Sequence, residues 1–589
     1  MKDSYEQLKQ IYSHENAISE GSQNAIGTVY TPYEIAVQMV YLLISNQLEL
    51  EKGDEYGIEL DFDAIYLRAY RDQNSDNSVS AHEAEALIQN LLRWRIIDFS
   101  CGSGALITAY LDFFNFLLTH SAHQTAPEHL KAYVHHFLTN CLYAIDIDDR
   151  ATNALTDILM AYERSFGLKD IALNIATSNS LLAFPATFPK EFDLIIGNPP
   201  YIGEKNNLTA FKPIKSTAFG RQFYEGKMDY FYFFIYLGHQ LLKPNGSLCF
   251  ISSNYFLTAD GATKLRAFLN GHFHFSRYVD YGETPIFGNR KLHACSYVLT
   301  KSSQLTCKVY DSTLRMISEL EKSALYHHDG CIRFVMSDLI MARLNQMKSV
   351  SIGTLGNFYT VNQGVVTGLD RCFVMDAPTA ASLPPALQAL SVPFYKNSDI
   401  QSYQVNPKQK RYLLYVDRAE VPDELIRRLS PFRERLSNRR EVQRNVRAWY
   451  MLTWPRTREL FEHPKIVAPQ RARTNRFAYV VEPFYASADV YYIQATSQSP
   501  YPLHLLVLIL NASPVFQWLS HMGKRKGELL ELYATPLKNI PLPPLDEGSI
   551  KILENYAKTI DETVDETRLP SIYASLDDYV SSLYGLHDL

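Results

Sequence analysis

The sequence predicts an α/β protein: a Rossmann-like, mostly parallel, doubly wound sheet followed by a C-terminal α+β domain. Three observations predict it. Short apolar runs alternate with amphipathic segments from about residue 95 to 300, and strands alternating with helices build parallel sheets. A glycine turn, Gly102-Ser103-Gly104, follows the first run and opens a helix. After about residue 305 the alternation fades into short runs, turns and basic clusters.

The elements follow in order. Residues 1–26 are polar with a weak helical pattern. Thr31-Pro32-Tyr33-Glu34 reads as a helix start, with Thr31 as cap, Pro32 in the first turn and Glu34 closing a capping box, and the helix runs to about Leu48. Residues 50–80 are an acidic, polar excursion. Ile96 to Phe99, Leu142 to Asp146, Ile171 to Ala176, Phe192 to Gly197, Ser247 to Ser252 and Ala294 to Thr300 read as buried strands, and Met228 to Leu242 as a helix. Four segments result: 1–90 helical, 91–305 the sheet domain, 306–547 the α+β domain ending near Pro541-Leu542-Pro543-Pro544, and 548–589 a helical tail.

At 46% hydrophobic and 20% charged residues, a disordered chain is excluded. The start, Met1 to Glu6, has no apolar core run, and the longest apolar stretch, Leu503 to Leu510, is far short of the ~20 residues a membrane helix needs. A cytoplasmic protein without membrane contact is expected. Seven scattered cysteines without Cys-x-x-Cys spacing argue against a disulfide framework and against any metal site. The net charge of −6 argues at first against nucleic acid. Residues 401–480, however, hold 18 Lys and Arg against 8 Asp and Glu, a local +10 that leaves −16 for the rest.

In α/β sheets ligands bind beyond the carboxyl ends of the strands. Asp98-Phe99-Ser100-Cys101-Gly102-Ser103-Gly104 lies at such an end. Its glycines permit a tight turn and close approach of a ligand to the helix N-terminus, but the spacing is not the dinucleotide fingerprint. A carboxylate just before the turn suits a cationic ligand such as the amino acid end of S-adenosylmethionine, and Asp146, after the next strand, is placed to accept two ribose hydroxyls. An ordinary α/β turn with helix-capping acids explains the same residues.

Asn198-Pro199-Pro200-Tyr201 is more telling. The two prolines stiffen the chain and remove two N–H donors. The Asn198 side-chain oxygen and the Pro199 carbonyl remain as acceptors beside an aromatic face. An exocyclic amine on a base is a poor nucleophile because its lone pair is delocalised. Two pre-organised acceptors on its hydrogens free that lone pair and stabilise the developing positive charge. Tyr201 can stack on an extruded base, and orientation does much of the rest.

With the glycine turn 94 residues upstream, the chain resembles the gamma-class N6-adenine DNA methyltransferases of the Taq-like and type IIG-like kind. It is similar over nearly its whole length to the CamA-type orphan adenine methyltransferases. The resemblance implies a Rossmann-like S-adenosyl-L-methionine-dependent domain and a C-terminal target-recognition domain. It also implies a cofactor set of Tyr30, Thr31, Pro32, Asp98, Gly102, Gly104, Asp146, Ile147, Asn179 and Asn198. It assigns Asn198, Pro199, Pro200 and Tyr201 to catalysis, and Tyr201 with Phe287 to packing around the target adenine. Two departures stand out: Asn179 occupies the place where the family often has an Asp, and 48 residues separate Asp98 from Asp146, an insertion around 111–140.

The basic segment reads as the part that meets double-stranded DNA. Its arginines form forked contacts with phosphates and guanine edges, and its aromatics pack on sugars or splayed bases. The expected DNA residues are Arg439, Arg440, Arg447, Trp449, Tyr450, Arg456, Arg471, Arg473 and Arg476, with Trp454 among the interleaved aromatics and Lys524 and Arg525 as a second patch. Gln363 to Gly368 looks like the start of that domain. One recognition domain predicts a monomer methylating one strand of a non-palindromic site. With 26 residues before Gly27, no nuclease is expected there, and a separate restriction endonuclease, or none, completes the system. Two alternatives stay open: a glutamine or RNA-base methyltransferase using the same tetrapeptide, and a DNA-binding scaffold without catalysis.

Overall fold

The computed structural model describes residues 31–51, 79–122, 125–282, 284–287, 293–302, 306–327, 330–334, 338–406, 411–526, 528–563 and 566–587. Tyr30 and most of the acidic excursion lie outside the described residues. The chain divides into two compact units between Met336 and Ser337.

In the first unit nine strands form one mixed sheet in the order β3-β2-β1-β4-β5-β7-β6-β8-β9. They are β1 (Ile96–Asp98), β2 (Leu142–Asp146), β3 (Asn174–Thr177), β4 (Phe192–Gly197), β5 (Leu242–Ser253), β6 (His274–Asp280), β7 (Ala294–Thr300), β8 (Thr306–Tyr310) and β9 (Met316–Glu321). β1 to β5 are mutually parallel, as the apolar runs predict, but β3 covers Asn174–Thr177 rather than Ile171 to Ala176 and is only partly buried because it is the edge strand, while β7 lies antiparallel to both β5 and β6. The chain leaves β1 for β2 on one side and returns to β4 on the other. That reversal opens a crevice at the carboxyl ends of β1 and β4.

Residues 306–321, expected to open the second domain, instead extend this sheet. An ion cluster helps to hold them there. Glu49, near the end of α1 (Tyr33–Leu50), pairs with Arg277 on β6 and, at 2.7 Å, with Lys308 on β8. Burial would raise the Glu49 carboxyl, but the two cations hold it below its ordinary range. α1 also docks through Asn46, whose Nδ2 donates to Ser247 Oγ (2.9 Å) and Thr300 Oγ1 (3.1 Å).

The start of α1 differs from the expectation. Pro32 is the cap, no side chain caps the helix and the Thr31–Glu34 box does not form. A box does form at α2 (Ala81–Arg93), where Ser80 and Glu83 satisfy each other's backbone N–H. The insertion between β1 and β2 is helical: α3 (Ala105–Ser121), α4 (Pro127–His136) and one π turn over Phe137–Cys141. α3 is buried nearly throughout because its composition is apolar on all sides. Then follow α5 (Asp149–Ser165), α6 (Leu208–Ser216), α7 (Ala218–Phe223), α8 (Phe231–Leu241) and α9 (Thr263–His272).

The second unit is α+β. One four-stranded sheet joins Tyr359–Gln363, Val490–Ala495, Lys465–Pro469 and Ala478–Val480; another joins Val374–Asp376, Arg411–Leu414, Ser391–Tyr395 and Tyr485–Ala486. A three-stranded sheet joins Arg471–Ala472, Leu529–Glu531 and Arg525–Lys526. Helices Glu547–Glu562 and Leu569–Leu583 close the chain. Among the described residues no single helix is long and apolar enough to cross a membrane; the apolar pair Leu503–Asn511 and Ser513–Met522 is bent by 67°.

Candidate functional site

A cavity of about 300 Å³ sits at the carboxyl ends of β1 to β4. Thr31, Asp98, Gly102, Asp146, Ile147, Asn179 and Asn198 line it, so residues spread over 168 positions of sequence converge on one wall. Pro200 lines it too, whereas Pro32, Gly104, Pro199 and Tyr201 do not.

Gly102 and Gly104 hold the turn in the left-handed region, with φ of 51° and 90°. A Cβ on Gly104 would stand 2.5 Å from Leu155 Cδ1 on α5, so Gly104 supports the turn by its conformation and by close packing. The Gly102 N–H donates to Asp146 Oδ2 (2.7 Å) and the Asp148 N–H to Asp146 Oδ1 (3.0 Å), so the second acid is aimed by the backbone of both loops. Burial raises the Asp146 carboxyl despite these bonds.

Asp98 is 1% exposed. Its Oδ1 accepts the Ser100 N–H (3.0 Å), while its buried Oδ2 has no partner. Burial first, and then the charge of Asp146, push its carboxyl up to about 8. An orphaned carboxylate oxygen in a cavity wall calls for a cationic or hydrogen-donating ligand. The buried hydroxyl of Ser178 also lines the cavity without a partner. Ile147 stands 64% exposed on the same wall, offering apolar surface to the cavity. Asn179 Oδ1 accepts the Leu181 N–H (3.1 Å). An acid for an ammonium, a second for vicinal hydroxyls, and apolar surface for a ring fit S-adenosyl-L-methionine. No cluster of metal-binding side chains exists among the described residues.

The tetrapeptide lines the same cavity through Asn198 and Pro200. Asn198 Nδ2 donates to Thr31 Oγ1 (3.1 Å), so Thr31 holds the amide while Pro32 takes the cap position of α1. Asn198 Oδ1 accepts from the Tyr201 hydroxyl, which also reaches the Ile251 carbonyl at 3.0 Å. The amide is thus held at both ends. The Tyr201 ring lies 6.2 Å from that of Phe287 and 6.1 Å, edge-on, from that of Phe231, and Phe287 is buried. Pro199 is buried. The sequence reading missed Ile202, Ala210, Tyr230 and Phe234, which also line the cavity, and Phe231, which packs on Tyr201. Helix α8 was legible, but its apolar residues carry no mark of which face meets a ligand.

Residues 140–287, which contain Asn198 to Tyr201, match the family model of the Eco57I restriction-modification methylases, and residues 392–542, which contain the basic segment, match that of the TaqI-like C-terminal specificity domain. The chain joins a restriction-modification methylase region to a TaqI-like specificity domain. It is 25% identical over 401 residues to the type II methyltransferase M.HindII of Haemophilus influenzae, covering 60% of this chain and 75% of that relative. It is 23% identical over 541 residues to the type II methyltransferase M.BstVI of Geobacillus stearothermophilus, covering 85% and 92%. A solved structure of the type IIL restriction-modification enzyme MmeI in complex with DNA shares the fold, with a TM-score of 0.63 at 14% identity over 92% of this chain and 75% of that one. This methyltransferase therefore uses S-adenosyl-L-methionine as its cofactor, as the cavity residues fit.

In the specificity domain the structure sorts the expected DNA residues. Arg440, Arg456, Arg473, Arg476 and Arg525 are exposed, and Lys524 is half-exposed. Arg471 is exposed but occupied: Nε donates to Glu531 Oε1 (3.0 Å) and Nη2 to the Tyr533 hydroxyl (2.9 Å). Arg447 is half-buried, with a buried Nε that lacks a partner. Trp449 is half-buried under the Arg433 guanidinium, and Tyr450 is anchored to the Ala419 carbonyl. Arg439 requires a correction. Its guanidinium is a structural tie, donating to Leu436 O (2.9 Å), Thr367 O (3.0 Å), Thr453 Oγ1 (3.0 Å), Trp449 O (2.6 Å) and Met451 O (2.9 Å). Those five bonds use all five of its donors, so none is left for a phosphate. Lys465, also counted in the basic total, is fully buried on Glu482 O, and burial brings its ammonium down to about 8.

Proposed function

We propose that the chain is a site-specific DNA methyltransferase that modifies the N6 amino group of an adenine flipped out of the duplex. The observation that carries this is the place of Asn198 and Pro200 at the end of β4, on the wall shared with Asp98 and Asp146. S-adenosyl-L-methionine supplies an electrophilic methyl group on a sulfonium. Asp98 Oδ2 would hold the ammonium of its amino acid end, Asp146 would accept the ribose hydroxyls, and Ile147 would cover the adenine ring. Asn198 Oδ1 and the Pro199 carbonyl would accept the two hydrogens of the target amine, freeing its lone pair for the methyl group that the bound cofactor would supply.

Asn198 Oδ1 is already bonded to the Tyr201 hydroxyl. Because that hydroxyl also reaches Ile251 O, Asn198 can turn its oxygen to the incoming amine without leaving the tyrosine unpaired. The Tyr201 ring, backed by Phe231 and Phe287, then stacks on the base.

The test is single-molecule sequencing of DNA from cells expressing the wild-type chain or Asn198→Ala. N6-methyladenine at one site, on one strand, with the wild type and its loss with Asn198→Ala is the expected result. Modification of cytosine, or equal modification with both chains, refutes the reading. A glutamine or RNA-base substrate is disfavoured by the specificity domain over 392–542, and a scaffold without catalysis by the orphaned Asp98 Oδ2 in the cofactor wall.

A further inference from the structure

Of the four tryptophans, Trp94 and Trp518 are buried and Trp449 is half-buried, but Trp454 is 41% exposed. An indole left in water is unusual, and this one stands on a closely held turn. The Val366 N–H donates to Trp454 O (3.0 Å) and the Trp454 N–H to Val366 O (2.9 Å). Pro455 stiffens the next step. The hydroxyl of the buried Tyr415 donates to Arg456 O (2.9 Å) and reaches Pro455 O at 3.3 Å. Arg456 adopts φ 68°, a left-handed conformation that a non-glycine residue keeps only when its surroundings impose it. Its Nε donates to Gly364 O (3.3 Å), leaving the two terminal nitrogens at the exposed end of the side chain.

Arg439 lies beneath this turn. Its bonds to Thr367 O, Thr453 Oγ1, Trp449 O and Met451 O tie both approaches to the Val366–Trp454 pair. Gly368, at φ 81°, makes room for it: a Cβ there would stand 2.2 Å from Thr453 Oγ1 and 2.7 Å from Arg439 Cδ.

We propose that Trp454 and Arg456 form a rigid knuckle that contacts the DNA duplex, and that Arg439 is the positioning residue that holds it. This rests on the DNA methyltransferase reading and says which groups of the specificity domain engage the substrate. The occupant is DNA because the knuckle stands in the segment of local charge +10. An arginine fork suits phosphate or a guanine edge, and an indole plane suits a sugar or base face. Holding both in advance lowers the ordering cost of binding.

The test measures methyl transfer from labelled S-adenosylmethionine to PCR-amplified bacterial genomic DNA, which carries every short site unmodified. Trp454→Ala and Arg456→Ala should each raise KM for DNA about tenfold with kcat and cofactor affinity unchanged. Arg427→Ala, an equally basic surface change in the same unit, should alter KM less than about twofold. Arg439→Lys, which can restore at most three of the five bonds, should raise KM for DNA to an intermediate degree and Arg439→Met to the full one. If Trp454→Ala and Arg456→Ala behave like Arg427→Ala, or lower kcat with KM unchanged, the knuckle is overturned. Both side chains are exposed, so these two substitutions test the knuckle whether or not the Arg439 variants fold. A wild-type chain that methylates nothing refutes the methyltransferase reading instead.

Discussion

Asp98→Asn should make the free protein more stable and deprive it of its cofactor. In the folded chain the Asp98 carboxyl is raised to about 8, first by burial and then by Asp146, from an ordinary value of 3.8. A carboxyl raised on folding binds its proton more tightly in the folded state. Its contribution to stability is therefore lost as pH rises above the unfolded value, and the loss levels off only above about 8. At pH 7 the difference is roughly three units, or about 4 kcal/mol of destabilisation at ~1.4 kcal/mol per unit. Asparagine removes the charge and keeps the acceptor for the Ser100 N–H. It leaves a neutral N–H pair buried where Oδ2 stands unpaired, which costs back about 1–3 kcal/mol. A net gain of about 1–3 kcal/mol remains, worth a few degrees in Tm for a unit of this size. Calorimetric unfolding from pH 5 to 9 should show wild-type stability falling with pH and the variant lacking much of that slope. Titration with S-adenosylmethionine should show affinity lost in the variant. In the wild type, affinity should rise up to about pH 8, with a proton released on binding below that pH. A variant less stable than wild type, or one with the same pH slope, would refute the account of Asp98.

The remaining predictions concern the turn, the ring contact and the DNA surface. Gly104→Ala places a methyl group 2.5 Å from Leu155 Cδ1 at φ 90° and should cost about 2–4 kcal/mol by urea unfolding; a cost below about 1 kcal/mol contradicts the packing argument. Ile147→Ala should change fold stability by less than about 0.5 kcal/mol, since the side chain is 64% exposed, yet weaken cofactor binding about tenfold by calorimetry. Unchanged affinity would remove Ile147 from the cofactor wall. Replacing Arg471, Arg473 and Arg476 together with alanine should lower the salt slope of DNA binding by about two, not three, because Glu531 and Tyr533 already occupy Arg471; an unchanged slope takes this segment off the interface.

Sequence reading reached furthest where a local pattern states its own geometry. Leu142–Asp146, Phe192–Gly197 and Ala294–Thr300 are strands at the positions their apolar runs indicate, because a strand covered on both faces is built mostly of apolar residues. It fell short where a side chain had several competent partners. Thr31 was as good a helix cap as any, and only the fold brings it to Asn198 Nδ2. The apolar residues of α8 and its cap Tyr230 were evident, but nothing in them marks Tyr230 and Phe234 as cavity walls. The alternation faded after residue 305, yet β8 and β9 belong to the first sheet, since a strand at a mixed edge needs no following helix.

Sequence by itself determined the chemistry on offer: a carboxylate before a glycine turn, an Asn-Pro-Pro-Tyr arc after a strand, and a local charge of +10 in a chain of net −6. These are properties of residue types at short spacing, so they survive without coordinates. Tertiary structure decided which groups remain free to use it. The oxygen Asp98 Oδ2 is left unpaired for a ligand, while every donor of Arg439 is consumed inside the domain and Trp454 is turned outward. Whether a polar group binds a ligand or its own chain depends on which partners packing brings within about 3 Å, and those partners lie tens to hundreds of residues away in sequence.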